Sequence, residues 1–368
     1  MTTSKEQSLI AEIKPELFLF ETEEINAETP AHLLDDDITP ARLLFVRNTG
    51  RTPFFSDAEI AGWGLTIEGE VNAPRSFSLA ELRRDFEIVN QTAVLECAGN
   101  GRAAYADPTP GPHWRQGAVG CVRWTGVRLA DLLAACGVRP SAVYTAHHAP
   151  DVGVNNDGPA ISRGLPITKA LAPETLIAFA MNGEPLPHIH GGPLRLVAPG
   201  YPGSAWQKWL TRIELRDREH DGERMTGTHY RMPRRRILPG EAFDAVPFDV
   251  ITDMPVRSVI TSPREGFAAP ADEPLIVRGH AWSGHIPVER VEVSTDDGAT
   301  WQTATLAPAG ERFAWRRFEI ALNAPRGSLA ILARATDAQG NSQPLGSAVW
   351  NPRGYCNNAA HRVTGSVG

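Results

Sequence analysis

Around residues 234–248, RRRILPGEAFDAVPF, the chain changes texture, and that change limits the fold more than any single motif. Upstream, strand-like and helix-like patterns are interspersed. Trp63, Leu65, Ile67 and Val71 alternate with smaller or polar residues, the period of a half-buried strand, which Pro74 ends. Residues 78–82 (SLAEL) read as a short capped helix, and residues 127–136 (VRLADLLAAC) as an amphipathic helix stopped by Gly137. There is no regular βαβ repeat and no GxGxxG fingerprint, so this part is expected to be α+β and not doubly wound. Downstream the pattern is all-β. Residues 274–278 (PLIVR) form an expected strand stopping at Gly279. Residues 288–294 alternate, Asp296-Asp297-Gly298 signals a hairpin turn, and residues 301–306, 313–322 and 329–335 supply further strands. About seven short strands in some 120 residues point to an immunoglobulin-like sandwich. The expected organisation is a polar, acidic surface segment (1–42), an α+β domain (43–240), and the sandwich (241–368), with residues 234–248 as linker.

With 368 residues, 42% hydrophobic and 21% charged, the chain can bury two ordinary cores. Its net charge of −7 argues against general binding to nucleic acid or to an anionic membrane. An anionic ligand therefore needs a local cluster of positive groups. The opening stretch, MTTSKEQSLIAEIKPELFLF, lacks a basic region followed by an apolar one, so the expected location is the cytoplasm, or the periplasm if a leader has been removed. No window approaches 18 apolar residues, so no membrane span is expected. The four cysteines, Cys97, Cys121, Cys136 and Cys356, form neither a CxxC zinc pair nor a CxxCH haem site.

Chemistry concentrates in residues 93–102, AVLECAGNGR. An apolar triplet leads into Glu96 and Cys97, then two glycines and Arg102. A thiolate is a soft, strongly donating metal ligand, and an arginine is a permanently charged fork suited to oxyanions. The glycines are expected to let a bulky group approach the backbone. A lone cysteine at a strand end is otherwise a buried structural residue, so the remaining candidates carry weight. Arg47 follows an apolar strand in FVRNTG. Trp114 (HWRQGAVG) can wall a pocket, Tyr230 (THYRMP) offers a hydroxyl, and Arg353 (WNPRGYCNN) stands among turn formers. His190 and Arg195 flank a glycine pair in HIHGGPLRLVAPG, with Lys208 following in QKWL, a set suited to phosphate. His188 and His190, at i and i+2 on a strand, would share a face, but no third metal ligand stands at convincing spacing. No GxSxG elbow or Walker A loop is present, which sets aside serine hydrolases and P-loop proteins.

Across residues 43–368 the chain resembles the sulfite oxidase family of molybdenum enzymes. The resemblance rests on FVRN, LECAGNGR, WRQGAVG, MNGEPLP, HGGPLRLVAPG, QKWL, AWSG and VEVSTDDGATW, in the family's order. It implies a molybdopterin-binding domain followed by a dimerisation domain, the molybdenum–molybdopterin cofactor, and Cys97 as the thiolate on molybdenum; animal members also carry a fused haem domain, for which this chain has no room or motif, so no haem is expected in it. By the same resemblance Arg47, Arg102, Trp114, Tyr230 and Arg353 form the substrate pocket. Phe45, Val46, Asn48, Thr49, Asp151, His190, Arg195, Trp206, Gln207 and Lys208, with Cys97, hold the cofactor. The activity implied is oxidation of sulfite to sulfate by a homodimer, with electrons leaving to a separate acceptor such as a cytochrome c. The competing readings are another oxo-transfer reaction, nitrate or sulfoxide reduction, and a non-catalytic cofactor-binding scaffold. The chain departs from the family's pattern at Thr49, where histidine is common, at Ala360, and at His229, which precedes the pocket tyrosine.

Overall fold

The computed structural model describes residues 3–155 and 157–368. Two hydrophobic cores divide the molecule. The first lies between a five-stranded sheet and a four-stranded sheet. In the former, Ile88–Glu96 pairs antiparallel with Val119–Arg128, which pairs with Leu176–Met181; Glu184–Pro185 and Arg195–Val197 both join that last strand. In the latter, Arg212–Arg216 lies between Gly64–Gly69 and Tyr144–His148, with Arg75–Ser78 at the edge. Leu65, Ile67, Trp124, Ile177 and Ile213 are sealed between them. The second core is a sandwich of a four-stranded and a five-stranded sheet, filled by Val277, Val291, Phe318, Ile331 and Val363.

Local signals explain most element ends. Helix Leu79–Asp85 begins with a reciprocal capping box, the Ser78 hydroxyl accepting from the Glu81 amide and the Glu81 carboxylate accepting from the Ser78 amide. The next expected helix starts two residues late, at Leu129, because Val127 and Arg128 stay in the ladder with Ile88–Glu96 and Leu176–Met181. Gly137 ends it at φ 68°. The strand expected to stop at Gly279 instead runs from Leu275 to Trp282. Gly279 is a point of close approach: a Cβ there would overlap the Val259 carbonyl and press on the Phe318 ring. The stretch 301–306 is two short strands, Gln302–Thr303 in one sheet of the sandwich and Thr305–Leu306 in the other.

Two expectations about connecting segments need correction. Residues 234–248 are not an extended linker. Arg231–Pro233 pairs with Phe248–Val250, so the segment is a loop closed at its base, with Ile237 buried. Residues 1–42 do more than coat the surface. Helix Thr3–Ile13 is followed by strands Phe18–Leu19 and Asn26–Glu28, which form a small sheet with Val46–Arg47. Ile10, Ile25, Ala27 and Val46 make a small core of their own. Asp35 pairs with Arg278, and Asp35 and Asp37 with Arg317, so the segment also fastens to the sandwich. Among the described residues no helix is long and apolar enough to cross a membrane.

Candidate active site

Strand Ile88–Glu96 ends by delivering Cys97 into a tight turn. The Cys97 amide donates to the Ala118 carbonyl at 2.9 Å, and the Asn100 amide donates back to the Cys97 carbonyl at 2.9 Å. The glycines of this turn are crowded by the protein itself. A Cβ at Gly99 would sit 2.6 Å from the Arg102 guanidinium, and one at Gly101, where φ is 83°, 2.6 Å from the Asn357 carbonyl. They make room for an arginine and for the C-terminal stretch of the chain. Behind the turn, Glu96 pairs with Arg257 and accepts from Trp282 Nε1 at 2.8 Å and Asn100 Nδ2 at 2.9 Å. Arg257 in turn donates to the carbonyls of Asn100 and Asn357 and to Gln116.

In front of Cys97 opens a cavity. Arg47, Cys97 and Tyr230 line it, together with Phe45, Thr49, Asp151, His190, Arg195, Trp206, Gln207 and Lys208 among others. Burial pushes the Cys97 thiol up, while the positive charges of Arg102 and Arg47 pull it down. Tyr230 sits at φ 52°, a left-handed conformation costing about 1–3 kcal/mol for a bulky residue. Stacking holds it there: its ring lies 5.2 Å from that of Tyr355 at 13°, with the Arg163 guanidinium 4.9 Å from its centroid and Arg102 5.7 Å from the Tyr355 centroid.

Several polar atoms of the cavity are not satisfied by the protein. Asp151 Oδ1, His190 Nε2, Arg195 Nε, Ser204 Oγ and Gln207 Oε1 are buried without a hydrogen-bond partner among the described residues. Buried polar atoms left unpaired cost about 1–3 kcal/mol each, so such a ring of them marks a ligand site. Lys208 donates to Asn48 Oδ1 and to the Ile189 carbonyl. Desolvation lowers Arg195 to about 9, holds Lys208 and His190 well below their usual ranges, and raises Asp151 to about 6. Desolvated cationic groups gathered on one cavity suit a phosphate, and Asp151 and Gln207 offer acceptors to ring N–H groups. The residues present therefore fit a large, polar, phosphate-bearing cofactor next to a thiolate.

Not every expected residue faces this cavity. Trp114 is fully buried beneath it, edge-on to Phe20 at 4.9 Å and to Phe45 at 6.2 Å, so it supports the wall instead of forming it. The Val46 side chain points into the small N-terminal core. Asn48 lies behind Lys208. Arg102 and Arg353 lie beyond Cys97 and Tyr230: Arg102 donates to the Arg353 and Pro112 carbonyls, and Arg353 Nε to Thr228 Oγ1 at 2.9 Å. The two histidines do not share a strand face. Pro187 and the left-handed Gly191 bound a turn of 3-10 helix, His188–His190, that buries His190 in the cavity and turns His188 towards Phe55 and Trp209. Among the described residues no three His, Cys, Asp or Glu side chains converge on a metal position. Sequence reasoning missed Glu24, Arg163, Ser204, Arg257 and Tyr355, whose parts depend on contacts distant in the chain.

Residues 50–224 match the oxidoreductase molybdopterin binding domain, and residues 248–367 the Mo-co oxidoreductase dimerisation domain. Fold and site thus define a molybdopterin-dependent oxidoreductase. The sulfite oxidase of Gallus gallus is 36% identical over 354 residues, covering 92% of this chain and 75% of that protein. The mitochondrial sulfite oxidase of Homo sapiens is 36% identical over 358 residues, and the chain spans only 63% of its length. The crystal structure of the sulfane dehydrogenase SoxCD from Paracoccus pantotrophus superposes with a TM-score of 0.81 at 28% identity, covering 97% of this chain and 89% of that one. The chain belongs to the sulfite oxidase family.

Proposed function

We propose that the protein oxidises sulfite to sulfate at a molybdenum–molybdopterin centre anchored by Cys97, and that it works as a homodimer passing electrons to a separate acceptor such as a cytochrome c. The observation that carries this reading is one cavity in which a thiol and an arginine–tyrosine pair adjoin five buried, unpartnered polar atoms. The relatives named above and the match of the second domain to a dimerisation domain support it.

When bound, the cofactor supplies oxygen-atom transfer and takes up the two electrons released as sulfite and water become sulfate and two protons. Cys97 holds the metal, in a turn fixed from behind by Glu96 and Arg257. His190, Arg195 and Lys208 hold the phosphate, and Asp151, Ser204 and Gln207 meet the ring. Thr49 borders the same space, with Asn48 held behind Lys208 and Phe45 and Trp206 as its apolar walls. Arg47 and Tyr230 then face the substrate anion. Nη1 of Arg47 is tied to Glu24, Asn26 and the Asn48 carbonyl, which aims the guanidinium and leaves its other nitrogens for the ligand. Arg102 and Arg353 add positive field from behind the Tyr230–Tyr355 stack, and Tyr230 donates a hydrogen bond to an oxyanion.

Metal analysis combined with sulfite-dependent ferricyanide reduction tests the reading. Molybdenum with sulfite turnover is expected. Molybdenum without it would transfer the reading to nitrate or sulfoxide reduction, and protein expressed in molybdenum-replete cells without bound molybdenum would overturn both.

A further inference from the structure

The pocket arginine Arg47 has a carboxylate neighbour from a part of the chain outside the matched molybdopterin-binding domain. Glu24 lies in the loop between strands Phe18–Leu19 and Asn26–Glu28, and its Oε2 is 3.1 Å from Arg47 Nη1. Its Oε1 is 3.8 Å from Arg224 Nη2. The loop is pinned: the Glu24 carbonyl accepts from Thr22 Oγ1 at 2.7 Å and from Asn26 Nδ2 at 3.3 Å, while Asn26 Nδ2 also donates to Thr22 Oγ1 at 2.8 Å. Both partners are mostly shielded, the Glu24 side chain 20% exposed and that of Arg47 17%. At such burial a charge acts through a lower effective dielectric than at the open surface.

Arg47 and Arg102 act on Cys97, Arg163 lies against the Tyr230 ring, and Arg224 shares Glu24 with Arg47. A dianion balances two of those charges. Substrate and product of the proposed reaction carry the same charge, so a pocket of arginines alone would retain sulfate about as well as it captures sulfite, and uniform binding of this kind does not speed turnover. We infer that Glu24 weakens the pocket's hold on every oxyanion by neutralising part of the Arg47–Arg224 field, so that the product leaves. The inference rests on the sulfite reading for its substrate, but not for its test.

The test compares the molybdenum-loaded wild type with Glu24→Gln at constant ionic strength. Glutamine keeps an acceptor for Arg47 and removes the charge. Calorimetric titration with sulfate is expected to give a Kd at least about fivefold lower in the variant, with the KM for sulfite falling in parallel. A sulfate Kd within twofold of wild type, or a weaker one, overturns the inference, since a residue that only orients Arg47 would weaken binding when altered. If Glu24→Gln does not fold, Glu24→Asp withdraws the charge by one methylene and is expected to tighten sulfate about twofold; no tightening there overturns the inference equally. Sulfate binding needs no turnover, so a failure of the sulfite reading removes activity from both proteins and leaves the ratio of the two Kd values to decide the part of Glu24.

Discussion

Glu96 and Arg257 come from different domains, yet they form an ion pair at 3.3 Å directly behind Cys97, with side chains 2% and 1% exposed. Burial works against both charges, raising the Glu96 carboxyl and lowering the Arg257 guanidinium, and each charge acts to keep the other ionised. Removing one partner leaves a desolvated charge. Arg257→Met is expected to cost ~3–5 kcal/mol, read as a lower midpoint in urea unfolding, whereas the double variant with Glu96→Gln should lose clearly less than the two single variants summed.

Cys97→Ser should leave the fold close to wild type, because the Cys97 side chain packs only at the margin of the first core while its backbone makes the turn's hydrogen bonds. Turnover is expected to fall by about a thousandfold or more, the scale for loss of an essential group acting on the reacting centre. Circular dichroism and steady-state kinetics on matched, metal-analysed samples check both halves.

Arg102→Gln is expected to raise the KM for sulfite by about tenfold, the scale of losing one charge from an oxyanion site. Arg102 also carries hydrogen bonds to the Arg353 and Pro112 carbonyls, so some loss of stability should accompany the change. An unchanged KM would show that the Arg102 charge does not reach the substrate site.

Acid should destabilise the protein over a defined window. Burial lowers His361 to about 4, and its Nδ1 must stay unprotonated to accept from the Ile260 amide at 2.9 Å. Above pH ~6.5 the ring is neutral in both folded and unfolded chains and contributes no pH dependence. Below that the unfolded chain binds a proton that the folded one refuses, so stability falls until about pH 4, by ~3 kcal/mol for this group. His220, also lowered to about 4, shifts stability in the same direction. Urea unfolding between pH 7.5 and 4 checks the slope, and His361→Gln should flatten it.

Much of the cavity could be read from the sequence because its parts are contiguous. Arg47 with Thr49, His190 with Arg195, and Gln207 with Lys208 each sit within a few residues of one another, on loops whose chemistry is local. The α+β domain and the sandwich were legible for a similar reason, since turn signals and alternation act over short spans. What escaped was set at a distance. Whether Gly279 ends a strand or admits a neighbour depends on Val259 and Phe318. Whether Trp114 faces a ligand or the core depends on Phe20 and Phe45. The strand reading of His188 and His190 failed because proline and glycine on either side fold the pair into a turn, which outweighs an i, i+2 spacing. Glu24 carries no local mark at all; only the pairing of Asn26 with Arg47 brings its loop to the site.

The ring of unpartnered polar atoms ties cofactor supply to protein abundance. Each such atom costs about 1–3 kcal/mol while it stays unpaired, a sizeable part of the 5–15 kcal/mol by which an ordinary domain is stable. A ligand that pairs them raises stability by mass action. Chain made in cells starved of molybdenum is therefore expected to melt several degrees lower and to be cleared faster than loaded chain, so that its level follows the metal as well as its own synthesis.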